Sequence, residues 1–302
     1  MSVYYRKYRL IIPFLLPALI LYFVFVLYPY VRAFYISLTS WRGTSANMPY
    51  VGLDNYRKLL TEARFMDALT RNGQLLIVLP IVTISIALIF AALFTQGGKG
   101  QGVRGASFYR ITFFFPQVMS AVVVGILFTY VYSPNNGLLN GALRSAGLDS
   151  LTRAWLGNPN TILWAIAAVA IWTGVGFYMV IFIASMQSIP TSFYEAAVLD
   201  GAGKWRQFKD ITLPLMWETI RTALIYIAIA ALDMFTLVQV MTGGSSSGAS
   251  RKAEVVAVYM YSEAFTKSRW GSASAVGVVL LLLTLLLSVV LMRVTRRETY
   301  EF

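Results

Sequence analysis

The sequence contains no cysteine and no histidine among its 302 residues. The absence of cysteine excludes a disulfide framework and a thiolate metal site. The absence of histidine removes the most common general base and the most common metal ligand. Carboxylates are few and scattered along the chain, so they offer no credible catalytic pair. Together these absences argue against an enzyme that works by acid–base or metal chemistry.

Charged residues are also scarce. They make up 13% of the chain, whereas 58% of the residues are apolar and the mean hydropathy is +0.65. Soluble domains carry about 25% charged residues. Several apolar runs reach the roughly 18–20 residues that a helix needs to cross a bilayer. We therefore predict an all-α, polytopic integral membrane protein, forming a single domain over 1–302, with spans at about 10–35, 73–94, 111–132, 162–187, 219–241 and 272–294.

The basic residues indicate orientation. The net charge of +12 is best explained by Lys and Arg at helix ends, and no basic run on a soluble module suggests nucleic-acid binding. The basic N-terminus precedes a run too long for a signal peptide, so we interpret it as an uncleaved first span. An even number of spans places both termini on one side. The short basic segments near span ends favour the cytoplasm for that side.

The segment 189–214 is charged, rich in glycine and set between two predicted spans. Pro190 ends the fourth span. Ser192 and Glu195 stand three residues apart, which predicts a capping box at the start of a short helix. Gly201 is placed to end that helix in a left-handed conformation.

A second short helix is predicted over 204–210. It would put Trp205, Phe208 and Ile211 on one apolar face, and Pro214 would allow the turn into the fifth span. The segment therefore predicts a compact helix–turn–helix outside the bilayer. It could dock on another protein, or it could simply lie on the lipid surface.

The spacing in this segment is Glu195-Ala196-Ala197, three residues, Gly201, nine residues, Ile211, one residue, Leu213-Pro214. It resembles the cytoplasmic coupling loop of the permease subunits of binding-protein-dependent ABC importers of type I. The resemblance implies that the short helix sits in a cleft of a separate ATPase, where Glu195 meets basic groups and Gly201 permits close approach of the backbones. The coupling residues it implies are Glu195, Ala196, Ala197, Asp200, Gly201, Ile211, Leu213 and Pro214.

Other segments are similar to the same family, namely Ser133–Leu148, Ile171–Pro190 and Phe235–Phe265. They resemble the carbohydrate-uptake branch, of the maltose and glycerol-3-phosphate type. One departure is Ser245, where relatives often have proline.

The resemblance implies a permease in the prokaryotic cytoplasmic (inner) membrane that forms half of a pathway for a sugar or related polar solute. Its implied partners are a second, homologous permease, two ATPase subunits, an extracytoplasmic solute-binding protein and membrane lipid. The chain has no G-x-x-x-x-G-K-[ST] motif. We therefore expect no cofactor in it, and ATP and Mg would be bound by the ATPase subunits.

Asp233 is the clearest anomaly inside a predicted span, because a mid-helix carboxylate is costly in lipid unless it is paired or faces water. On a helical wheel it shares a face with Thr222, Tyr226 and Thr236. This polar stripe could line a translocation path or contact the partner permease, or it could make a structural hydrogen bond between helices.

The fourth span contains a cluster of aromatic, hydroxyl and glycine residues. Aromatic rings stack on sugars and polar groups bond their hydroxyls, but Ala170 and Gly174 also form a small-xxx-small pair suited to close helix packing. The resemblance implies a sugar pocket here and in the fifth span. The candidate pathway residues are Trp172, Thr173, Gly174, Phe177, Tyr226, Ala231, Asp233 and Met234.

Between the first two spans, the spacing of Tyr56, Leu59, Leu60, Phe65 and Leu69 predicts an amphipathic helix on the external face. Two alternatives to a sugar importer subunit remain. One is an ABC importer permease for a non-sugar solute. The other is a self-sufficient secondary transporter, which would require repeats and paired charges inside the membrane.

Overall fold

The computed structural model describes residues 2–44, 47–95, 105–245 and 247–296. Within these ranges the regular secondary structure is helical, and the only extended pairing is an isolated bridge between Thr39 and Tyr50. The predicted all-α class is confirmed. The helices are α1 Ser2–Tyr22, α2 Tyr28–Ser37, α3 Asp54–Thr61, α4 Ala63–Phe94, α5 Ala106–Val118, α6 Ala121–Val131, α7 Leu138–Ser145, α8 Ile162–Ser188, α9 Thr191–Leu199, α10 Lys204–Gln207, α11 Leu213–Leu215, α12 Trp217–Leu232, α13 Phe235–Met241, α14 Val256–Tyr261 and α15 Trp270–Val294.

Four helical stretches are long and apolar enough to cross a membrane by themselves. They are Ile11–Ser37, Ala63–Phe94, Ile162–Ser188 and Trp270–Val294. Two further candidates are bent pairs, and counting each as one span gives up to six. The first stretch is continuous because a five-residue π-helix, Phe23–Leu27, joins α1 to α2.

The predicted third span, 111–132, is not one straight helix. α5 and α6 meet at an angle of 102°, because Met119 and Ser120 adopt extended backbone angles between them. Pro116, in the last turn of α5, has no N–H to donate to the preceding turn and so weakens the helix just before the break.

The predicted fifth span, 219–241, is also interrupted. α12 ends at Leu232, and the chain passes through Asp233 and Met234 before α13 begins. With sixteen residues, α12 is shorter than the roughly 20 residues that span a bilayer. A complete span therefore requires the helical segments on either side of α12. On its other side, Lys204–Leu215 meets α12 at 67°.

The described residues form two compact units, Met1–Met66 with Tyr259–Leu283 and Asp67–Val258 with Thr284–Phe302. The second unit has two apolar cores. One is centred on Ile162, Ile166 and Val169 of α8, and the other on Met179, Phe182 and Met186 further along the same helix. Because both cores are built on α8, this helix is the central support of the unit.

Close approach between α8 and α5 depends on Gly176. A Cβ atom at this position would collide with the backbone carbonyl of Phe113, so only glycine permits the contact. Close packing of this helix is thus observed at Gly176, which is not a member of the predicted pair Ala170 and Gly174. At Gly174 an added Cβ would meet nothing nearer than the Thr83 Cγ2 atom, at 3.5 Å.

In the first unit, the predicted surface helix has different bounds. Phe65 and Leu69 belong to α4, and Leu59 and Phe65 are buried in protein instead of facing lipid. Phe65 packs against the ring of Tyr259, whose hydroxyl donates to Glu62 at 2.8 Å. Burial, together with this hydrogen bond, raises the pKa of Tyr259.

Asn72 holds together three parts of the second unit. Its Nδ2 atom donates to the carbonyl of Ala231 at 2.9 Å and to that of Leu232 at 3.4 Å. Its Oδ1 atom accepts from the N–H of Val256 at 2.8 Å. The side chain thus joins the end of α12 to the start of α14.

Replacing Asn72 by alanine should destabilise the protein by about 1–3 kcal/mol, because buried carbonyl and N–H groups would lose their partners. Thermal unfolding of the purified chain in detergent measures the effect. Asn136→Ala is the matched control, since Asn136 is exposed. Equal melting temperatures for the two variants would contradict this role of Asn72.

Candidate functional site

Two adjoining hollows lie along α8 and α12. The first, here called the Asp233 hollow, has a volume of about 330 Å³, and the second, the Tyr226 hollow, has about 450 Å³. Phe177 and Tyr178 line both of them. The two rings are nearly perpendicular, with centroids 5.2 Å apart. They therefore stand at the junction of the hollows.

The Asp233 hollow combines hydrogen-bonding groups with apolar and aromatic walls. Its polar residues are Thr83, Gln117, Thr173, Asp233 and Thr236. Thr173 Oγ1 donates to carbonyls one turn back in α8, at 2.9 and 3.2 Å, and so still has lone pairs available as acceptors. Such a surface can bond hydroxyl groups while a ring lies against an apolar face of the ligand.

Asp233 does not lie in mid-helix, so the expectation of a carboxylate inside a continuous span is wrong. It is the residue that follows α12, with φ −108° and ψ 60°, and its side chain is exposed at the break. The interruption frees the carboxylate from hydrocarbon and lets it line a hollow instead. The predicted stripe is divided accordingly: Thr222 and Tyr226 line the Tyr226 hollow, and Asp233 and Thr236 the Asp233 hollow.

The remaining pathway candidates fall into two groups. Thr173, Gly174, Phe177 and Met234 line the Asp233 hollow. Trp172 does not. It packs edge-on against Phe128, with ring centroids 5.1 Å apart.

Ala231 is fully buried, and it contributes a backbone carbonyl to Asn72 instead of a surface to the hollow. The sequence analysis missed Thr83, Gln117 and Tyr178. Gln117 carried a usable signal, because an amide beside a proline within a predicted span is unusual.

The helical hairpin 191–215 is the second candidate region. α9 ends in a Schellman motif, in which Ala202 N–H bonds to the Ala197 carbonyl at 2.8 Å and Gly201 N–H to the Val198 carbonyl at 3.0 Å. Gly201 has φ +74°, as predicted for a left-handed residue at this position. The turn is thus fixed by backbone hydrogen bonds.

Two details of the hairpin differ from the prediction. α9 begins at Thr191 after Pro190, so Ser192 lies inside the helix and cannot cap it. The second arm changes from α-helix to π-helix over Phe208–Thr212, and this shifts the register. As a result Ile211 lines a small hollow between the arms, apart from Trp205 and Phe208.

The predicted coupling residues fall into two classes of exposure. Glu195, Ala196, Asp200, Gly201 and Pro214 are exposed, whereas Ala197, Ile211 and Leu213 are partly buried.

The tip of α9 is apolar and open, with Val198 61% and Leu199 89% exposed. Exposed apolar side chains at the end of a rigid helix are typical of a surface that another molecule covers.

The two arms are tied together and to the spans. Tyr194 Oη and Thr212 Oγ1 lie 3.0 Å apart across the hairpin, and Ser185 Oγ and Thr219 Oγ1 lie 3.0 Å apart between α8 and α12. Because α8 leads into the hairpin and α12 leads out of it, the same two helices line the hollows and carry the hairpin.

Comparison with known proteins agrees with this architecture. The family model of binding-protein-dependent transport system inner membrane components matches residues 8–299. The chain is 41% identical to the diacetylchitobiose uptake system permease protein NgcF of Streptomyces coelicolor, covering 92% of this chain and 80% of that one. It is 31% identical to the trehalose/maltose transport system permease protein MalF of Thermococcus litoralis, covering 97% and 95%.

The fold is also similar to a chain in the crystal structure of a bacterial alginate ABC transporter in complex with an alginate pentasaccharide-bound periplasmic protein. The TM-score is 0.81, with 23% identity over 98% of both chains. Since the family match extends over nearly the whole sequence, this chain belongs to the inner membrane components of binding-protein-dependent transport systems.

Proposed function

We propose that this chain is one of two permease subunits of an ATP-driven importer, and that it forms half of the translocation path for a sugar or a related polar solute. The observation that carries the proposal is the pair of hollows joined at Phe177 and Tyr178, within a family of transport components. Polar groups follow α8 and α12 from one hollow to the next. The ring of Tyr226 is 66% exposed. A partner permease that packs against this ring could close the open side of the path.

The lining of the Asp233 hollow favours a polyhydroxylated solute. Hydroxyl and amide groups from Thr83, Gln117 and Thr236 stand beside aromatic rings, as sugar binding requires. The names of relatives such as NgcF and MalF support a sugar as cargo. A non-sugar polar solute is the alternative, since the same hydroxyl and amide groups would bond it.

The hairpin would dock on the ATPase subunits, which bind ATP and Mg. Its exposed apolar tip and exposed Glu195 support this role, as does its direct connection to both pathway helices. An extracytoplasmic binding protein would deliver the solute to the opposite face. With six spans, both termini and the hairpin lie in the cytoplasm.

Replacing Glu195 by alanine should separate the ATPase from the permease without unfolding the chain. Loss of one member of a buried, hydrogen-bonded charge pair costs about 2–5 kcal/mol. The measurements are the ATPase recovered with affinity-tagged permease and ATP-driven uptake by the reconstituted complex. Asp149→Ala, an exposed carboxylate on the opposite predicted face, is the control. Normal uptake and ATPase recovery with Glu195→Ala would refute the docking role.

Filling the Asp233 hollow should block transport but leave the complex assembled. Gly174→Leu adds a side chain where the nearest atoms, the Thr83 methyl group and the Tyr178 ring, are at ordinary contact distances of 3.5 and 3.9 Å, so the helix should keep its place while the solute loses its space. Ala168→Leu is the control, because Ala168 is exposed on the same helix and does not line the hollow. Uptake of labelled diacetylchitobiose and maltose is the measurement. Equal uptake by both variants would place the path elsewhere.

The absence of cysteine makes the orientation directly testable. Asp200→Cys places a thiol on the hairpin, and Ser145→Cys places one on the exposed end of α7. A membrane-impermeant maleimide added to intact cells should label Ser145→Cys only, and inverted vesicles should show the reverse. Labelling of Asp200→Cys in intact cells would overturn both the orientation and the docking proposal.

A further inference from the structure

A third hollow, of about 640 Å³, lies between the end of α4 and the second arm of the hairpin. Here it is called the Thr95 hollow. Its walls are mostly apolar, formed by Leu88, Ala92, Met186, Phe208 and Leu213. It is separate from the two hollows of the proposed path and shares no residue with them. Its size is within the range of small-molecule sites in proteins.

The apolar wall is continuous with an exposed apolar face of a candidate membrane span. Ile89 and Leu93 line the hollow and are 56% and 51% exposed, although they belong to a helix long and apolar enough to cross the membrane. Because α4 ends at Phe94, the hollow lies at the end of this candidate span, where we expect the hydrocarbon region to give way to the interface. An opening on that side admits a lipid chain more readily than a solute from water.

Polar atoms make up a small part of the surface of the Thr95 hollow, and three of its polar side chains are already paired. Tyr194 and Thr212 bond to each other, and Gln207 donates to the Ala202 carbonyl at 2.8 Å. A sugar in this hollow would turn most of its hydroxyl groups towards apolar walls, which costs free energy for each group left without a partner. The lining therefore disfavours a polar solute.

Two polar groups of the hollow are suited to bind the polar end of an amphiphile. Thr95 is 7% exposed, and within the described part of the chain its Oγ1 atom has no hydrogen-bond partner. Lys204, on the rim beside Trp205, is exposed and cationic. Lysine and tryptophan at the mouth of an apolar hollow are typical of the membrane interface, and basic pockets between spans on the cytoplasmic side bind anionic lipid headgroups.

We propose that the Thr95 hollow binds an anionic phospholipid. An acyl chain would lie against the apolar wall, the phosphate would meet Lys204, and the Thr95 hydroxyl would donate to a lipid oxygen. A lipid held there would join the end of α4 to the second arm of the hairpin. The proposal requires the membrane placement of α4 and does not depend on docking of an ATPase.

Native mass spectrometry of the purified full-length chain tests the site, with phosphatidylglycerol and phosphatidylcholine added separately from mixed micelles. We expect phosphatidylglycerol to be retained in preference. Lys204→Gln should weaken its retention about fivefold, which corresponds to about 1 kcal/mol for one basic residue near anionic lipid. Ala92→Trp, which fills the hollow, should remove the bound lipid.

Matched controls separate this site from general lipid adhesion. Lys209→Gln removes a charge from the same arm outside the hollow, and Ile77→Trp adds the same ring to an exposed position of α4 away from it. Both should retain lipid as the unaltered chain does. Equal retention of the two lipids, or no difference between test and control variants, would overturn the proposal. Loss of the lipid when the chain is assembled with an ATPase would overturn it too, because the hollow would then be covered by protein.

Discussion

The Asp233 hollow depends on the backbone groups that are released where α12 stops. A broken helix inside a membrane is tolerated only if its free carbonyls find partners, because lipid supplies none. Asn72 provides those partners for Ala231 and Leu232, and it accepts the N–H of Val256 as well. Only with the break secured in this way can Asp233 turn from the helix into a hollow.

The same constraint explains the other interruptions. Between α5 and α6 the chain turns through 102°, and it can do so because α5 is packed on α8 through the surface that Gly176 leaves free. Arg110 donates to the carbonyl of Phe94 at 3.2 Å, so the end of α4 is satisfied by α5. A nearby donor or close packing therefore accompanies the break after α12, the end of α4 and the bend between α5 and α6.

Sequence reasoning predicted the elements that depend on local chemistry. The long apolar runs gave α8 and α15 within a few residues, and the position of Gly201 predicted the left-handed closure of α9. It could not predict the break at Asp233, because the residue that makes the break tolerable is Asn72, far away in the sequence. For the same reason Asp233 was assigned to mid-helix. Ala231 and Trp172 were chosen by type and position, but their neighbours in the fold turn them towards other helices.

The capping box illustrates a different limit. Ser192 and Glu195 have the right spacing, but Pro190 already supplies the extended residue that begins α9, so the helix starts too early for the box to form. The π-helix at Phe208–Thr212 is likewise invisible in a pattern that assumes 3.6 residues per turn. The π-helix has more residues per turn than an α-helix, and this rotates Ile211 away from the face that carries Trp205. The apolar residues of this arm therefore serve two surfaces instead of one.

The arrangement of α8 and α12 links the hairpin to the hollows. Both arms of the hairpin continue into helices that line the two hollows, and the bonds Tyr194–Thr212 and Ser185–Thr219 keep those arms and helices in register. Met186 and Met216 are buried in the apolar core at this junction, so sliding one helix past the other would open a cavity in a close-packed interior. Under the proposed function, a displacement of the hairpin would thus move α8 and α12 as one body. Since Phe177 and Tyr178 lie on α8 at the junction of the hollows, that motion would act where the two hollows meet.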